Sequence, residues 1–109
     1  MNTLFLGCSD NDLKTAADLL RQGEVVAIPT ETVYGLAANA YDDTAVRKVF
    51  AAKGRPCDNP LIVHISNLDM IKDIAADFPD IAKRCADEFW PGPLTMILPK
   101  TDKIPLVTS

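Results

Sequence analysis

Val25-Val26-Ala27-Ile28-Pro29-Thr30-Glu31-Thr32-Val33-Tyr34-Gly35-Leu36 is the stretch from which the fold is read. A short β-branched run that stops at a proline predicts a buried strand ending in a loop. Pro29 lacks an N–H, so it belongs at the end of that strand and not in its middle. Thr30, Thr32 and Tyr34 bring hydroxyls and Glu31 a carboxylate into the loop, and Gly35 offers a φ that Val33 and Tyr34 would resist. In open α/β sheets ligands sit beyond the carboxyl ends of strands, where such loops gather. The loop is therefore the first candidate for a substrate wall, against the plainer reading of a polar turn that caps a strand.

Composition bounds the rest. A chain of 109 residues, 48% hydrophobic and 24% charged, suits one globular domain with a single core. No apolar run has the length of a membrane span, and residues 1–8 carry no basic leader or cleavage site. Three cysteines (Cys8, Cys57 and Cys85) without CxxC spacing argue against a disulfide framework or zinc site and fit a reducing cytoplasm. A single histidine supports neither a His-based metal cluster nor a Ser–His–Asp triad with spare ligands. The net charge of −4 speaks against broad neutralisation of nucleic-acid phosphates.

Outward from the loop, Ser9 or Asp10 caps a helix whose Leu13, Ala16, Ala17 and Leu20 form one buried stripe, and Gly23 stops it. Thr3 to Leu6 reads as a short extended segment. Asp42 or Asp43 caps a second helix, with Val46, Val49 and Phe50 inward, ending at Lys53-Gly54-Arg55-Pro56. Pro60-Leu61-Ile62-Val63-His64-Ile65 reads as a central strand. Asn67 caps a short helix from Leu68 to about Ala75, and Pro79 opens another carrying Ile81, Ala82, Cys85 and Phe89. Trp90-Pro91-Gly92-Pro93 breaks that helix as a rigid turn, and Leu94-Thr95-Met96-Ile97-Leu98 is a further strand. Helices alternating with strands define an α/β sandwich, an open twisted sheet in three layers with flanking helices. Lys103 to Ser109 shows no cap or packing partner. With only three convincing strands, residues 1–109 read as the N-terminal part of a larger domain whose exposed edges favour self-association.

Among groups able to carry chemistry, Lys53 and Arg55 flank a glycine at a helix end, shortly before Asn59. A lysine point charge and an arginine fork suit phosphate or carboxylate oxygens, though helix C-termini attract cations for dipole reasons alone. His64 is the one polar side chain of an apolar strand; the pattern divides evenly between a satisfied core residue and a ligand-binding group at the strand's end. Glu31 has no second carboxylate spaced with it and ranks below the hydroxyls as a general base. Cys57 lacks a positioned base, so a catalytic thiol is not expected there. Neither a Walker loop nor GxGxxG is present.

Taken together, Pro29 to Leu36, Lys53 to Pro56, Asn59 to Ile65 and Trp90-Pro91-Gly92-Pro93-Leu94-Thr95 resemble the YrdC family, the threonylcarbamoyl-AMP synthases. Four blocks in order make the resemblance specific; it runs along essentially the whole chain but covers only about the N-terminal half of the family's domain. It implies a cytoplasmic nucleotidyltransferase that joins L-threonine, bicarbonate and ATP into threonylcarbamoyl-AMP and releases pyrophosphate, with Mg²⁺ arriving on the ATP. Partner proteins would then transfer the threonylcarbamoyl group to adenosine 37 of tRNAs reading ANN codons. By the same match Thr32 and His64 contact threonine, Lys53, Arg55 and Asn59 hold ATP or its adenylate, and Thr30 and Tyr34 shape the pocket. The family pairs its Lys-x-Arg with a Ser-x-Asn further along; none occurs here, since Ser66-Asn67 is adjacent and elsewhere.

Two other readings stand beside it. A carbamoyl-adenylate module of hydrogenase maturation proteins would bring acylphosphatase-like and zinc-finger segments, which this chain lacks. An RNA-binding translation or ribosome-maturation factor without catalysis runs against the acidic balance. The synthase reading makes one geometric demand: the hydroxyl loop, the lysine–arginine corner and the imidazole share a hollow.

Overall fold

The computed structural model describes residues 2–54 and 60–109. Expectations for Arg55, Pro56, Cys57 and Asn59 lie outside the described residues. Helix α1 runs Asp10–Arg21. The Ser9 hydroxyl accepts from the Asp12 N–H at 3.2 Å, and Asp10 and Asp12 occupy the favourable first turn. Gly23 ends it at φ 85, its N–H bonded to the Leu20 carbonyl while the Glu24 N–H reaches Leu19. The expected buried stripe is shallower than the periodicity implies. Ala16, Ala17 and Leu20 are half-buried and Leu13 is exposed, because α1 packs on little besides the first strand. Phe5, in the segment read as extended, is likewise exposed and joins no strand.

Strand β1 (Val26–Ile28) pairs antiparallel with β2 (Gly35–Ala37), with Val26 opposite Ala37 and Ile28 opposite Gly35. The strand expected before Pro29 is present and ends there, but the loop returns at once as a hairpin arm that the sequence reading missed. Two corrections follow. β1 is half-buried and not a fully buried strand, since among the described residues only β2 flanks it. Gly35 sits in a strand without positive φ, so its role is steric: a Cβ there would lie 3.3 Å from Thr30 Cγ2.

Helix α2 (Asp43–Lys53) holds the best-packed face of the chain, with Ala45, Val46, Val49 and Phe50 buried. The Asp42 carboxylate caps it through the Ala45 N–H at 3.2 Å, and Gly54 closes it in the left-handed conformation, φ 65. A Cβ on Gly23 would come within 3.1 Å of Asp42 Oδ2, and Lys48 Nζ donates to the Gly23 carbonyl at 2.9 Å. The end of α1 and the flank of α2 are thereby interlocked.

The core cluster is Val46, Phe50 and Val107, with Leu61 packed against it. This overturns the expectation that Lys103 to Ser109 lacks a packing partner: Ile104, Val107 and Thr108 are buried. The Thr108 hydroxyl donates to the Ala40 carbonyl at 3.0 Å, and the Leu61 N–H donates to the Thr108 carbonyl at 2.9 Å. Sequence hides this because a turn has no period to betray its buried side.

Segments 61–65 and 94–98 keep the alternating burial of strands, with Leu61, Val63 and Ile65 and then Leu94, Met96 and Leu98 turned inward. Neither joins a ladder among the described residues, where the one sheet is the β1–β2 pair. A strand pattern makes a strand only when a neighbour supplies hydrogen bonds. The nearest pairing is an antiparallel bridge between Ala75 and Lys100, flanked by Ala76 N–H to Pro99 and Thr101 N–H to Ile74. Between these segments Asn67 precedes a 3₁₀ turn (Leu68–Met70) without a side-chain cap, followed by α3 (Ile71–Ile74). Helix α4 (Asp80–Phe89) follows Pro79 and buries Ala82 and Ala86. Ile81 and Phe89, expected on its inner face, are 67% and 59% exposed. The Trp90 turn ends the helix as expected: its indole N–H donates to the Leu94 carbonyl at 2.8 Å, and a Cβ on Gly92 would meet the Phe89 oxygen at 2.6 Å.

Candidate functional site

The β1–β2 hairpin presents residues 29–34 at its tip, and Thr30, Glu31, Thr32, Val33 and Tyr34 are all exposed. The Thr30 hydroxyl donates to the Val33 carbonyl and accepts from the Thr32 N–H at 3.4 Å. That is a local side-chain turn of the kind Ser and Thr form. Among the described residues the Thr32 and Tyr34 hydroxyls have no hydrogen-bond partner, so both are available to a ligand.

Lys53 is the last residue of α2, beside Gly54, and is exposed. No ion pair among the described residues occupies it, which leaves its charge for an anion. His64 is exposed beside Ile62 on the outward side of 61–65, which removes the reading of it as a core histidine. Its Nδ1 lies 3.2 Å from the Ile62 carbonyl oxygen. In the tautomer with its proton on Nδ1, that proton donates there and Nε2 is left as an acceptor.

The hairpin thus brings Thr30, Thr32 and Tyr34 together. No hydrogen bond or ion pair among the described residues joins them to Lys53 or His64. Among the described residues, a hollow of about 350 Å³ lies between α4 and 96–98 and another of about 310 Å³ at Phe89, Pro93 and Leu94. Both are apolar and open, and neither includes a predicted site residue, so neither matches a polar substrate. The anchoring of the loop through Thr30 was missed in sequence, because it depends on the Val33 carbonyl coming within reach of the hydroxyl. No group of three or more His, Cys, Asp or Glu able to hold a metal ion occurs among the described residues. No helix among them is long and apolar enough to cross a membrane.

What the fold and this surface define is an α/β domain of helices around a small sheet that presents one polar hairpin. Residues 18–109 match the Sua5/YciO/YrdC family model, described as "Telomere recombination". The chain belongs to this family. It is 52% identical over 97 residues to the threonylcarbamoyl-AMP synthase of Pyrococcus abyssi, covering 89% of this chain and 28% of that protein. The threonylcarbamoyl-AMP synthase of Bacillus subtilis is 53% identical over 106 residues, covering 95% and 31%. The crystal structure of P. abyssi Sua5 complexed with L-threonine superposes with a TM-score of 0.92 at 45% identity, over 97% of this chain and 32% of that one. The α/β fold inferred from sequence is therefore that of the family. The chain spans less than a third of the length of these relatives.

Proposed function

We propose that this chain forms the threonine-binding part of an L-threonylcarbamoyladenylate synthase. The supporting observation is the 0.92 TM-score to a relative complexed with L-threonine, together with a hydroxyl-bearing hairpin in which the Thr32 N–H is held by Thr30 and its hydroxyl has no partner among the described residues. In this reading Thr32 and His64 bind the amino acid, and Thr30 and Tyr34 shape its pocket. Lys53, Arg55 and Asn59 hold ATP, and Mg²⁺ comes as part of the nucleotide substrate.

The chemistry suits these residue types. The threonine amine condenses with bicarbonate, forming an N–C bond and losing water, to give a carbamate. A carbamate oxygen attacks the α-phosphorus in line while the bond to pyrophosphate breaks. Such a displacement needs positioning and charge neutralisation, with no protein nucleophile. The Lys53 ammonium and Arg55 guanidinium would offset charge on the phosphates. The mixed anhydride is open to hydrolysis, so a closed site favours it. Its product would serve threonylcarbamoyl modification of tRNA adenosine 37 through partner transferases, in the cytoplasm.

Titration of the ¹⁵N-labelled chain with L-threonine tests the reading. Saturable shifts at Thr32 and His64 are expected, and their absence at millimolar ligand would remove it.

A further inference from the structure

We infer that Thr30 is the positioning residue of this site, the buckle that sets the direction of Thr32. The inference rests on the threonine-binding reading for its consequence but on the hairpin alone for its geometry. Residues 29–34 join Ile28 to Gly35, the last paired positions of β1 and β2. Within that span, the described polar contacts run through a single side-chain oxygen. Thr30 Oγ1 donates to the Val33 carbonyl across the loop and accepts from the Thr32 N–H. The methyl of the same side chain fills the space beside Gly35, where a Cβ would stand 3.3 Å from it. One threonine therefore reaches across the loop to Val33, lies against Gly35 of β2, and holds the backbone of the residue that offers its hydroxyl to the ligand.

No other side-chain hydrogen bond among the described residues holds the tip. Val33 and Tyr34 are 72% and 74% exposed, so packing supplies little order there. A loop without packing is ordered by its hydrogen bonds, and removing their shared oxygen frees the Thr32 backbone to sample other directions. A ligand that needs one direction then binds in proportion to the fraction that keeps it. Thr30 acts on the amino acid through Thr32 and need not touch it.

Thr30→Val keeps the shape and deletes the hydroxyl; Thr30→Ser keeps the hydroxyl and deletes the methyl. Thr30→Val should lower backbone ¹⁵N order parameters at residues 31–34 and weaken L-threonine binding roughly fivefold to tenfold, the scale of one ordered hydrogen bond. Thr30→Ser should stay within about twofold of the parent, since it keeps that bond. In a Thr32→Ala background Thr30→Val should cost nothing further, because the residue through which it acts is gone. Losses that instead add, or unchanged order parameters in Thr30→Val, would overturn the inference. If the parent chain binds no L-threonine, the functional reading fails while the order parameters still decide the role of Thr30.

Discussion

The imidazole of His64 has its Nδ1 3.2 Å from the Ile62 carbonyl oxygen, and the ring is otherwise turned outward. Held by that contact, Nε2 can accept from an amine or hydroxyl of a bound amino acid. His64→Ala should weaken L-threonine binding by roughly tenfold to a hundredfold, the scale of a hydrogen bond to a charged group. Calorimetric titration of the two proteins reads the difference, and equal affinities would remove His64 from the site. In a polypeptide that completes the family domain, Thr32→Ala and Arg55→Ala should each abolish pyrophosphate release that depends on threonine and bicarbonate. Unchanged rates there would remove those assignments. His64 could be singled out in sequence as the one polar side chain of an apolar run, and Lys53 by its pairing with Arg55 across a glycine at a helix end. Thr30 was legible as a polar residue of the loop, but its anchoring role depends on where a carbonyl three residues on comes to lie.

Among the elements, α2 carries the stability of the chain and the C-terminal turn seals it. Phe50 is buried against Val46 and Val107 in a cluster with few other members. Phe50→Ala should cost about 3–5 kcal/mol, much of the ~5–15 kcal/mol that holds a small domain folded. Loss of a cooperative transition in thermal circular dichroism is the expected result. Thr108→Val keeps the volume but removes the donor to the Ala40 carbonyl, at a cost of about 1–3 kcal/mol. A midpoint equal to the parent's would show that water replaces the hydroxyl. The helices were legible because caps and stops are local: Ser9, Asp42, Gly23 and Gly54 stand where their residue types predict. The arm Gly35–Ala37 was not, since three small or mixed residues carry no period. Segments 61–65 and 94–98 show the opposite failure. Their alternation survives in the burial pattern, yet pairing is a long-range event that alternation cannot guarantee.

At the scale of the whole molecule, the chain exposes more surface than its mass requires. Its accessible area is 8139 Å², whereas a self-contained monomer of 11.8 kDa would expose about 5,900 Å². The radius of gyration, 14.8 Å, likewise exceeds the ~13 Å of a compact domain of this length. The difference in area, on the order of 2,000 Å², is the scale of a protein–protein interface. Part of it is apolar and contiguous: Ile81 and the 98%-exposed Ile97 border the groove between α4 and 96–98. That groove runs beside a strand-like segment without a ladder, the arrangement that invites pairing with a second copy. Light scattering across a concentration series should therefore show reversible self-association. Ile97→Lys should suppress it without lowering the thermal midpoint, because the side chain it replaces packs on almost nothing in the monomer. A monomer at every concentration would overturn this prediction.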